Sequence, residues 1–318
     1  MTGRPRLHAI RIRPRAATAL ALASVIGIAA FAWPLLADPS AGITELKDAP
    51  LLFGVLLVVV LGVVLAEIAD GGMDAKAVAV LGVLTAVGAA LRPLGTGIAG
   101  FEPVFFLLVL AGRVYGPGFG FVLGATTLFA SALTTAGVGP WLPFQMLGAA
   151  WVAAGAGALP SLRGRSELAM LAVYAFVAGL VYGILLNLSF WPFVMAGDTS
   201  IAFVAGDPAL DNLRRFVVFS LVTSLGFDLP RAVVTSGLVL LTGPALLRSL
   251  RRAARRAAFA APVTFHDPER GEGDGRGSDQ PLTGDPREVE GAGQSVARRA
   301  LAMIASRTHP ARPGSIAS

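Results

Sequence analysis

Residues 101–151 read FEPVFFLLVLAGRVYGPGFGFVLGATTLFASALTTAGVGPWLPFQMLGAAW, three apolar runs joined by two Gly/Pro breaks. Gly116-Pro117-Gly118 parts the first run from the second, and the stretch from Gly137 to Pro143 parts the second from the third. Glycine ends a helix through backbone entropy and proline through its missing N–H donor. The pattern predicts helices over 102–115, 119–136 and 143–159. The second break carries Trp141, with Phe144 and Gln145 just after it. Two aromatic rings and a carboxamide at a break between apolar helices are the parts from which a small-molecule site is made.

The rest of the chain extends this unit. Hydrophobic residues make up 54% of the 318 residues and charged ones 14%, so repeated long apolar runs exceed what the core of one soluble domain needs. A bilayer core of about 30 Å takes roughly 20 helical residues. Segments 16–36, 51–68, 75–91, 168–188 and 229–247 join the three above, giving an expected all-α integral membrane protein of about eight transmembrane helices. The first segment follows Arg4, Arg6, Arg11, Arg13 and Arg15, as a signal peptide would, but its apolar run is longer than a signal core and reads as a retained span. The expected division is a basic start (1–15), a two-helix hairpin (16–74), a six-helix core (75–250) and a tail (251–318).

Charge sets the expected orientation. With a cytoplasmic N-terminus, the inner side carries Arg4, Arg6, Arg11, Arg13, Arg15, Lys76, Arg113, Arg163, Arg165, Arg248, Arg251, Arg252, Arg255 and Arg256. The outer side carries only Lys47, Arg92, Arg214, Arg215 and Arg231. The positive-inside rule then puts both termini in the cytoplasm. The formal charge of +6 reflects groups flanking spans, and no nucleic-acid motif accompanies them. Arg251 to Arg256 would meet anionic membrane lipid. Residues 261–318 read as disordered apart from a short helix at 295–306.

Several chemistries lack their residues. There is no cysteine, hence no disulfide framework or thiolate metal site. His8, His266 and His309 lie outside the bundle, and neither Lys47 nor Lys76 follows a phosphate-binding glycine loop. No metal or cofactor is expected in this chain, and any ATP-driven step needs a partner. Glu67, Asp70 and Asp74 could hold magnesium for a membrane-embedded transferase, or could form a solvated turn.

In the third segment, Ala75, Ala79, Gly82, Ala86 and Ala90 make a stripe of small residues. Such a stripe lets another helix approach closely, whether a partner's or one of this bundle. Ala17, Ala21 and Ala19, Ala23, Gly27 form similar stripes in the first segment. Trp33 reads as an interfacial belt residue. Glu102, at the edge of a span, is either wet or in contact with a ligand or loop. Asn187 falls near the outer end of the seventh span. The connection 189–228 follows, starting at Phe190-Trp191-Pro192 and including a short apolar helix, 216–225, at the outer face. Asp228 is expected to cap the last span with Pro230 in its first turn, and Arg231 to add a charge lining an outer cavity.

These residues resemble a known family. AALRP (89–93), AGRVYGPGFG (111–120), GPWLPFQM (139–146) and DLPRA (228–232) make residues 75–250 similar to the substrate-specific S component of an energy-coupling factor (ECF) transporter, most closely over 111–146. The first two spans and the tail depart from that family's six-helix pattern. The resemblance implies a bacterial plasma-membrane protein, itself not an enzyme, that captures a vitamin or related cofactor precursor. It would work with a transmembrane coupling protein and two ATPase subunits. Partner binding would use Ala75, Ala79, Gly82, Ala86 and Ala90. The 139–145 break looks most like members associated with cobalamin, while biotin, thiamine and riboflavin stay open. An outer cavity formed by Glu102, Trp141, Phe144, Gln145, Asn187, Asp228 and Arg231 is the expected substrate site. A membrane-embedded transferase and a structural assembly subunit are the alternatives.

Overall fold

The computed structural model describes residues 14–36, 54–62, 64, 73–95, 98–194, 200–204 and 206–257. Contacts divide the chain at Pro262/Val263, and the second unit lies wholly outside the described residues. So do Glu67, Asp70, the connection between the first two expected spans and the 295–306 segment. Among the described residues every regular element is helical: α1 (Pro14–Phe31) with a further turn at Trp33–Leu36, helical turns at 54–62, α2 (Ala75–Leu91), α3 (Val104–Tyr115), α4 (Pro117–Thr134), α5 (Leu142–Ala158), α6 (Gly164–Val194), α7 (Ala209–Phe219) and α8 (Leu225–Ala257). Four stretches are long and apolar enough to cross a membrane: Ala75–Gly95, Pro117–Thr134, Gly164–Phe193 and Ala209–Arg256. An all-helical chain with four such stretches has the make-up of a helical membrane protein.

α3 organises the bundle. Apart from Phe106 it is buried along its whole length, and α2, α4, α5, α6 and α8 all pack against it. A helix that is apolar all round belongs inside other helices. Twelve residues rise only about 18 Å, less than a bilayer core, and α3 meets its neighbours over nearly all of that length. Gly116, at φ +105°, makes the α3–α4 turn in a conformation that favours glycine, and Pro117 then opens α4 at a position where its absent N–H costs nothing.

Small residues set the closest approaches. A Cβ on Gly112 or Gly124 would collide with the backbone of Ala153 or Ala149 on α5, and one on Gly179 would press on Ala232 of α8. Where apolar surface yields no water-driven advantage, this close packing is what holds helices together. α1 joins the core in the same way. Gly27 lies against Leu147 and Trp151 of α5, the Trp151 indole N–H donates to Ser24 Oγ at 3.0 Å, and Phe31 meets Phe144 edge-on at 5.0 Å.

Two expectations about the 189–228 region are corrected. α6 runs through Phe190-Trp191-Pro192 to Val194, and 216–225 is no separate surface helix: α7 passes through a π-helical turn, Ser220–Ser224, directly into α8. Asp228 is therefore not an N-cap, because helix precedes it. Inside a helix its carboxylate has no free N–H ends to accept from, and it turns to side chains across the α6–α8 contact. The aromatic cluster of Trp191, Phe216 and Phe219 accounts for the longer helices, since Trp191 can be buried only if α6 continues to meet α7. Its indole N–H donates to Ile201 O at 2.7 Å.

Candidate functional site

Two charged clusters mark opposite ends of the bundle. Glu167 and Asn187 on α6 are twenty positions apart, as are Arg231 and Arg251 on α8. At 1.5 Å per residue this separates the clusters by about 30 Å, the thickness of a bilayer core. At the first end, Glu167 Oε1 accepts from Arg113 Nε at 2.8 Å and from Arg251 Nη2 at 2.6 Å. Arg113 also donates to Leu159 O at 2.8 Å.

At the other end, Arg231 is the hub. Its Nη1 donates to Asp228 Oδ1 at 2.6 Å and its Nη2 to Glu102 Oε1 at 3.0 Å, while its guanidinium lies 5.4 Å from the Tyr182 ring centroid. Asn187 Nδ2 donates to Asp228 Oδ2 at 3.4 Å. Gly183, one turn before Asn187, leaves the space that the Asp228 carboxylate occupies, and a Cβ there would collide with it. Arg231 Nε is buried without a hydrogen-bond partner.

Beside this cluster opens a cavity of about 230 Å³ lined by Trp141, Phe144 and Gln145 of the α5 start and by Leu186, Asn187, Ser189 and Phe190 of α6. The turn that places Trp141 is built locally. α4 ends with Ala136 at φ +52° and the Gly137 N–H returning to Ala132 O at 2.9 Å, a left-handed closure that turns the chain toward Trp141. Trp141 donates its indole N–H to Gly137 O at 3.1 Å, stays 40% exposed and lines the cavity. Phe144 is buried behind it. Arg92, at the end of α2, donates through Nη2 to Gln145 Oε1 at 2.7 Å.

Four of the expected substrate residues, Trp141, Phe144, Gln145 and Asn187, thus line one cavity. Glu102, Asp228 and Arg231 come together beside the cavity, joined to it through Asn187, and are not among the residues that line it. Their reach is taken up by one another across α3, α6 and α8. Ser189, Phe190, Leu186 and the supporting Tyr182 and Arg92 were not among the expected site residues. The spacing Gly179-x-x-x-Gly183 was the available signal, since such a pair admits a close helix and here admits Asp228. Trp33 is also corrected: it is buried, donates to Ser189 O at 3.2 Å and stacks on Phe193 at 5.3 Å, so it supports the cavity wall and is not a belt residue. Asp74 accepts from the Ala77 N–H at 2.8 Å as the N-cap of α2.

The two kinds of small-residue stripe part company here. Ala23 and Gly27 of α1 are buried, whereas Ala75, Ala79, Gly82, Ala86 and Ala90 are all exposed, and a Cβ on Gly82 would meet nothing within 4 Å. α2 turns Ala77, Leu81, Leu84 and Gly88 inward instead. Compared with protein-family models, curated proteins and solved structures, the chain finds no match.

Proposed function

We propose that this chain is the substrate-capture subunit of an ATP-driven, ECF-type importer, binding a vitamin or related cofactor precursor in the cavity between α5 and α6. The observation that carries the reading is that cavity, with three aromatic residues and two carboxamides at one end of an apolar bundle. The exposed stripe on α2 supports the second half: its small side chains leave a helix face free for a transmembrane coupling protein, which would bring two ATPase subunits. The arginine distribution supports cytoplasmic termini and a cavity facing outward across a bacterial plasma membrane. Orientation is checked with single cysteines at Val138 and Leu162, which lie at opposite ends of α5; an impermeant thiol reagent should label only the first on intact cells.

The central test is equilibrium binding of biotin, thiamine, riboflavin and cobalamin to the detergent-purified protein. Trp141→Ala and Gln145→Ala should weaken the ligand that binds by roughly 1–3 kcal/mol, about five- to 150-fold, while Tyr174→Phe, far from the cavity, leaves it unchanged. Equal effects at all three positions would sink the assignment. A structural assembly subunit is the second reading, favoured by the mutual pairing of Arg92 with Gln145 and of Asn187 with Asp228. It predicts no small-molecule binding and loss of a partner complex when these pairs are broken.

A further inference from the structure

The cavity's polar groups can be read as a code, because charged neighbours fix the orientation of both carboxamides. A guanidinium only donates, so the Gln145 atom facing Arg92 Nη2 must be its oxygen. That leaves the Gln145 NH₂ as the group with no partner among the described residues. A carboxylate only accepts, so the Asn187 atom facing Asp228 must be its NH₂, and the Asn187 carbonyl oxygen is left over. The other donors of the wall are committed: the Ser189 hydroxyl donates to Leu186 O at 2.8 Å, leaving its oxygen able only to accept, and the Trp141 indole donates to Gly137 O. No charged side chain lines the cavity. What it offers a ligand is one amide donor, the amide acceptor of Asn187 with the Ser189 oxygen near it in sequence, and an aromatic wall of Trp141 and Phe190 with the buried Phe144.

The geometry points to a small neutral ring compound carrying an adjacent N–H and C=O, a cyclic urea or lactam edge, as the ligand of this cavity. The N–H donates to Asn187 Oδ1 and the C=O accepts from Gln145 Nε2, while the ring lies against the aromatic wall. A charged edge would lose its water and find no counter-charge on the wall. The volume of about 230 Å³ is below the ~300–1,000 Å³ of drug-sized sites, which suits one or two fused rings and not a macrocycle. Arg92 and Asp228 act as positioning residues, since each sets the orientation of a carboxamide without facing the ligand.

This inference rests on the reading that the cavity receives a solute, and its test separates the two. The purified full-length chain is titrated with benzimidazol-2-one, with its N,N′-dimethyl derivative, and with benzoate and N-methylpyridinium as charged rings. The parent urea should bind, and methylation of both nitrogens should weaken it by at least about fivefold, because a donor is lost and Asn187 Oδ1 is left unpaired. In Asn187→Leu that penalty should disappear, so the parent and dimethyl compounds bind alike. A global folding defect would weaken both and could not remove the difference selectively. Equal binding of the two compounds to the native chain, preference for either charged ring, or no binding of the urea overturns the inference. The importer reading would survive any of these if a vitamin bound in a Trp141-dependent way, and would fail independently if the bound chain recruited no coupling protein.

Discussion

The two ends of the bundle lock the same kinds of side chain together in opposite proportion. At one end a single carboxylate, Glu167, holds two arginines; at the other a single arginine, Arg231, holds two carboxylates. The Glu167 lock is closed: its side chain is 2% exposed, and Arg113 spends further donors on the Leu159 and Leu162 carbonyls just after α5. The Arg231 lock is open. Glu102 is 31% exposed, Arg231 Nε lacks a partner, and Asn187 carries the network to a cavity wall. A saturated cluster has only stability to give, whereas an unsaturated one beside a cavity can also orient a ligand.

That contrast is most sharply tested by removing each hub. Glu167→Ala strands Arg113 in the interior without its counter-charge and should cost about 3–5 kcal/mol, read as reversible unfolding in detergent micelles. Arg231→Met should cost less, about 1–3 kcal/mol, because Glu102 can reach water through the open side and the buried Asp228 can take up a proton, whereas an arginine stays charged. It should also weaken ligand binding by loosening Asp228 and hence Asn187. If the second substitution proved the more destabilising, the distinction between a closed and an open lock would be gone. Arg251→Ala should change stability by no more than about 1 kcal/mol, since its side chain is 40% exposed and Arg113 stays on Glu167. Smallest of all is the effect expected for Ala79→Leu with Ala86→Leu: within about 0.5 kcal/mol for the isolated chain, as for surface positions generally. Co-purification of a coupling protein should nevertheless be lost. A large destabilisation there would make α2's outer stripe part of the fold, like that of α1.

Much of the helical layout was legible. Gly116-Pro117 and the 137–143 break end helices for local reasons, and the observed α3, α4 and α5 fall within about two residues of the expected bounds. The cavity was legible in part for the same reason, because Trp141, Phe144 and Gln145 sit together at the start of one helix. The 189–228 region was not. Pro192 and Pro230 read as boundaries, yet both lie inside helices; the burial of Trp191 against Phe216 and Phe219 repays their lost hydrogen bonds.

Outside 189–228, sequence alone determined where the bundle is helical and where it turns, because these follow from periodicity, backbone freedom and missing donors within a few residues. Only the tertiary structure decided which faces meet. Apolar side chains facing lipid and facing the core are alike in character, so the stripes of α1 and α2 looked equivalent until Ala23 and Gly27 of α1 proved buried and the α2 stripe exposed. Likewise nothing local pairs Arg92 with Gln145, 53 positions away, or Arg231 with Glu102, 129 positions away. Those partners depend on how closely the helices approach, and at the site that distance is set by a missing side chain at Gly183, into whose space the Asp228 carboxylate fits.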